Sequence, residues 1–120
     1  MKYMLLIYLA ENALTEAERE HCYVESTQLA HDLQAKGQFL ATAPLQPVST
    51  ATTVQIRGGK RLVTDGPFAE TREHLGGYFL VKAKNLDEAI GIAGRIPGAR
   101  VGTVEIRPVL EIPNLPESAL

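Results

Sequence analysis

The chain has 120 residues, the size of one domain, and a chain of this length buries roughly two thirds of its unfolded surface without help from a metal or disulfide. Lys+Arg 12 against Asp+Glu 14 leaves a formal charge of −2, which excludes the dominant basic face of a nucleic-acid binder. Its one cysteine, Cys22, cannot close an internal disulfide; in a helical pattern it reads as a small core residue of a protein kept in a reducing compartment.

The opening Met1–Ala10 is apolar but too short to span a bilayer, and it lacks the charged start and small-residue cleavage site of an export signal. It is expected to be a strand of a soluble, cytoplasmic protein with no membrane partner. Tyr3 to Leu9 are apolar at successive positions, and strand side chains alternate faces, so this strand must be covered on both sides. Thr15-Glu16-Ala17-Glu18 is a capping box that opens a helix running to about Lys36, with Gly37 suited to the left-handed cap. At about 100° per residue, Cys22, Ser26, Leu29 and Leu33 form one stripe of that helix.

Gln38–Ala43 is a short strand ended by Pro44. Thr52–Arg57 and Arg61–Thr64 flank Gly58-Gly59-Lys60, a hairpin signal with two glycines free to take positive φ. A loop, Asp65–Glu73, leads to a strand at Tyr78–Val81. Asn85 caps a second helix whose Leu86, Ala89, Ile90 and Ala93 share a face, with Pro97-Gly98 ending it. Thr103–Val109 alternates, Val104 and Ile106 one way, Thr103, Glu105 and Arg107 the other. One domain is expected over residues 1–110, with 111–120 an extended tail carrying Pro113 and Pro116.

Strand-helix-strand, hairpin, strand-helix-strand predicts an α+β, ferredoxin-like domain with both helices on one side of an antiparallel sheet. The other side is then bare, and a first strand apolar on both faces would leave a large sticky patch there. A two-fold homodimer with facing sheets is the economical cover, at an interface of ~2,000 Å² or more.

Leu62-Val63-Thr64-Asp65-Gly66-Pro67-Phe68-Ala69-Glu70-Thr71 contains a literal Asp-Gly-Pro-Phe, followed by Leu75-Gly76-Gly77-Tyr78 and by Glu105-Ile106-Arg107-Pro108-Val109. Together with the opening Lys2-Tyr3-Met4-Leu5-Leu6-Ile7-Tyr8, these segments resemble the YCII-related family in its DGPF-domain branch, over nearly the whole chain. The resemblance implies a dimeric α/β-barrel fold. It also implies two kinds of function. Some YCII-like proteins resemble small lyase-like or dehydrochlorinase-like enzymes that use a histidine and an aspartate. Many DGPF members look like genomic neighbours of extracytoplasmic sigma factors, which points to regulation. His21 and His31 do not align with the enzymatic branch's histidine.

Asp65 is the first candidate for chemistry. A turn aspartate normally accepts the N–H two residues on, but that residue is Pro67, which has none. Its carboxylate is free to serve as acid, base or ligand anchor, or else to stiffen the turn. His74, between this loop and Gly76-Gly77, is placed to act as a general base near neutral pH. Phe68, after a rigid Gly-Pro, stacks on a ligand, plugs a partner subunit or packs locally. Glu105 and Arg107 point into the space between the sheets of the expected dimer, as an anion site or as an ion pair. His21, Glu25 and Asp32 follow a polar helix stripe, the pattern of a solvated face, so no metal is expected. Gly91 and Gly94 follow no glycine-rich turn of the phosphate-loop kind, and no cofactor is expected. Two functional readings stand: a homodimer that binds a small molecule, of lyase or isomerase type with an Asp-based site, and a non-catalytic regulatory or interaction module, linked to sigma-factor-dependent transcription, for which the dimer itself is the working unit.

Overall fold

The computed structural model describes residues 1–116. In chain order it contains β1 (Lys2–Leu9), α1 (Glu16–Ala35), β2 (Phe39–Pro44), a single 3-10 turn (Val48–Thr50), β3 (Thr52–Arg57), β4 (Lys60–Asp65), β5 (His74–Lys82), α2 (Leu86–Ala93), α3 (Gly98–Val101) and β6 (Thr103–Pro108). Four strands form one sheet in the order β2-β5-β1-β6, and β3 and β4 form a separate ribbon. With the ribbon set aside, this is the expected ferredoxin-like α+β arrangement. Among the described residues the sheet is open and closes no barrel.

β1 and β5 lie at the centre, and both offer apolar side chains to both faces. β1 pairs antiparallel with β5 and β6, placing Leu5 opposite Phe79 on one side and opposite Ile106 on the other. Tyr3, Leu5, Phe79 and Val81 are buried on one face beneath Leu29 and Leu33 of α1 and Ala89, Ile92 and Ala93 of α2. Met4, Leu6 and Tyr8 point the other way, beside Tyr78 and Leu80, and are only half-buried. Thr103, Glu105 and Arg107 pair with these same β1 residues and so share the uncovered face.

α1 begins and ends where its caps dictate. The Thr15 N–H donates to Glu18 Oε1 at 2.9 Å and the Glu18 N–H donates to Thr15 Oγ1 at 3.2 Å, a complete capping box. At the other end Gly37 takes φ +70°, while the Gly37 and Gln38 N–H groups donate to the carbonyls of Gln34 and Leu33.

α2 departs from the expected face. Ala89, Ile92 and Ala93 are buried, while Leu86 and Ile90 stay half exposed. The buried stripe continues to Ile96, beyond the helix, so the spacing 89, 92, 93, 96 sets the rotation and the alanines let the backbone settle close to the sheet. Pro97, expected to end this helix, instead stands at the start of α3, since its fixed φ suits a helix entry.

The ribbon stands away from the body. The radius of gyration is 16.0 Å, against roughly 14 Å for a compact chain of this length. Its turn is made by Gly58 and Gly59 at φ +56° and +75°. Val54, Ile56 and Val63 share one face and are 59%, 60% and 58% exposed. Asp65, expected in the following loop, is the last residue of β4 and pairs with Thr52; the ladder continues one residue further because both partners extend. Residues 111–116 carry no helix or strand, and the last four of the expected tail lie outside the described residues.

The α1 stripe yields a stability prediction. Leu33→Ala should cost about 2–5 kcal/mol by urea unfolding, because it opens a cavity in the core. Thr15→Ala should cost about 1 kcal/mol through the cap. Cys22→Ala, where the helix borders open space, should cost no more than about 0.5 kcal/mol, the scale of a surface change.

Candidate functional site

The stripe of α1 that meets the sheet changes character along its length. Leu29 and Leu33 join Phe79 and Val81 in the core, but one to two turns earlier the same stripe offers only Ser26 and Cys22. Facing them the sheet and α3 offer Gly77 and Gly98. A Cβ on Gly98 would stand 2.6 Å from Ile7 Cγ2, and one on Gly77 would stand 3.0 Å from the Ala43 carbonyl oxygen, so neither position can fill the gap without displacing its neighbours. The unfilled space is a cleft of about 660 Å³, within the range of small-molecule sites.

Its wall is mostly apolar, with Ile7, Leu9, Leu14, Leu45, Phe79 and Ile96. The polar side chains on it are few: Glu11, Arg19, Tyr23, Thr42 and His74 among them. Several are already engaged. The Thr42 hydroxyl donates to the Tyr78 carbonyl at 2.7 Å, and Glu11 Oε1 accepts the Val48 N–H at 3.3 Å, which ties the 43–48 segment to the end of β1. The Leu45 N–H donates to the Gly76 carbonyl at 2.8 Å and holds the same segment to β5. His74 opens β5, four residues before the strand expected from sequence, and reaches the cleft wall opposite Leu9 across the register shift at Ile7/Tyr8.

Two ion pairs hold the helices around this space. Arg100 of α3 grips Glu25 of α1 through two parallel bonds of 2.8 Å, and Arg95 donates to Asp32 at 2.6 Å. The Arg100 fork holds the Glu25 carboxyl below its ordinary range, and hydrogen bonds from Arg95, then Gln28, do the same for Asp32. So the polar stripe of α1 is an ion-pair seam between helices. Cys22 lies half-buried on the cleft wall, not sealed in the core, because the cleft opens beside it. Burial first, then the Glu25 charge, pushes its thiol up, away from the reactive thiolate.

The other sequence candidates lie elsewhere. Asp65 is exposed at the foot of the ribbon and does not line the cleft; Phe68, 79% exposed, stands outside it too. Glu105 and Arg107 are on the opposite face of the sheet, joined at 3.5 Å and well exposed, a weak pair. One chain therefore brings none of Asp65, Phe68, Glu105 and Arg107 into the cleft with His74. Sequence reasoning passed over Arg19, Cys22 and Tyr23 as cleft residues. Their signal was the run of small residues on a stripe that should have been large.

The fold and cleft define a ferredoxin-like α+β domain with a pocket between helix and sheet. The family model of the YCII-related domain matches residues 1–113, and the chain belongs to that family. It is similar to an uncharacterized protein of Rhizobium meliloti (strain 1021), 33% identical over 118 residues, covering 91% of this chain and 92% of the relative.

The ion-pair seam has a pH signature. A lowered carboxyl value means that the seam's contribution to stability is present above the unfolded-state value and disappears as acid carries the pH down through the folded value. Both pairs are open to solvent, so the effect on stability is small, but NMR titration should show Glu25 and Asp32 among the lowest carboxyl groups. Arg100→Ala should move Glu25 back up and leave Asp32 where it was.

Proposed function

We propose that this chain is one subunit of a homodimer that binds a small molecule in the α1–sheet cleft, with His74 as the acid–base group of a lyase- or isomerase-like reaction. The cleft carries this reading. It is large enough for a metabolite, mostly apolar, and bordered by a histidine, the side chain best suited to moving protons near neutral pH. The Asp65-Gly66-Pro67-Phe68 segment supports a place in the DGPF branch of its family. Asp65 remains a candidate for the site through association, since the ribbon that bears it projects from the subunit.

Two bare surfaces support the dimer. Among the described residues the half-buried Met4, Leu6, Tyr78 and Leu80 have no helix over them, and Val54, Ile56 and Val63 are exposed on a two-stranded ribbon, a structure marginal in water by itself. Phe68, 79% exposed, is a further apolar side chain that would plug the partner subunit. The same exposed surface favours the second reading, a non-catalytic module that recruits another protein.

Sedimentation equilibrium at low micromolar concentration should give a dimer, and Val63→Asp should give a folded monomer. A wild-type monomer would remove the dimer. Amide NMR with a mixture of small metabolites should shift Ile7, Gly76, Gly77 and Gly98. Shifts confined to residues 52–68, and only on adding a protein partner, would establish the recruiting module instead.

A further inference from the structure

Resting on the reading of the cleft as a small-molecule site, we infer that its ligand is a small amphiphilic carboxylate, with its apolar body against Ile7, Leu9 and Phe79 and its anionic head at Arg19. The wall is apolar where it is deep and cationic at one place, on the first turns of α1. Arg19 is exposed and has no carboxylate partner among the described residues, although it shares the wall with Glu11. That contrasts with Arg95 and Arg100, which close on acids across the helix seam. One Glu11 oxygen accepts the Val48 N–H and is engaged by the 43–48 segment.

A guanidinium beside an apolar hollow suits a carboxylate through its planar fork, whose two donors match the two oxygens. A neutral apolar molecule would use the hollow and leave the fork unmatched. A highly charged ligand such as a polyphosphate would find one arginine and a nearby carboxylate, a poor setting for several negative charges.

Cys22, the single cysteine, lies on this wall and reports occupancy directly. Alkylation of the intact protein by neutral iodoacetamide is followed by mass spectrometry with hexanoate or benzoate present, and in parallel with hexanol or benzyl alcohol. A carboxylate at ten times its dissociation constant should slow alkylation roughly tenfold and raise the thermal midpoint. The matching alcohol should protect far less. Arg19→Gln should abolish protection by the carboxylate, Arg19→Lys should keep part of it, and circular dichroism should show both variants folded. Equal protection by acid and alcohol, or undiminished protection in Arg19→Gln, overturns the carboxylate while leaving the cleft as a binding site. No protection or midpoint shift from any of the four compounds overturns both.

Discussion

Everything in this domain hangs on the central strand β1. A strand with apolar side chains on both faces gains from cover on both, and among the described residues helices serve one of them. Leu5, fully buried between Phe79 and Ile106, anchors the sheet laterally, and Tyr3 and Leu5 together set where α1 and α2 can dock. The opposite face keeps Met4 and Leu6 at the price of leaving apolar surface in contact with water. Hydrophobic burial is worth about 25 cal/mol per Å², and this face forgoes part of it.

The cleft follows from the same packing by subtraction. Close packing requires each stripe residue on α1 to find a partner of matching size. Leu29 and Leu33 do; Cys22 and Ser26, over Gly77 and Gly98, do not. The hollow is therefore not an accident of a loose loop. Its rims are braced, by the Arg100–Glu25 fork on the helix side and by the Leu45–Gly76 and Glu11–Val48 bonds on the strand side. A hollow braced in this way is preformed, and preformed sites carry a lower ordering cost.

Much of the fold was legible because its signals are local. The capping box at Thr15, the glycine after α1, the Gly58-Gly59 turn and the alternation of β6 each lie within a few residues of the structure they specify. The misreadings were matters of range. The face of α2 was settled by Ile96, outside the helix, and Asp65 was drawn into β4 by Thr52, thirteen positions earlier. The cleft was harder still, since Arg19, Thr42, His74 and Gly98 come from four segments and only the folded chain makes them neighbours. The Asp-Gly-Pro-Phe segment, with the other quoted motifs, carried the family resemblance, but the hollow lies elsewhere in the fold.

The ribbon enters and leaves the body at nearly one point, where the Gly66 N–H donates to the Ala51 carbonyl at 2.7 Å. Topologically it is a cassette: closing the chain across that point would leave the four-stranded sheet and its helices intact. Such a cassette contributes little to the folding of the rest of the chain, because its long-range contacts are almost all internal. Its sequence is thus free of the constraints that bind the core, and residues 52–65 can change with whatever surface they meet while the cleft behind them stays the same.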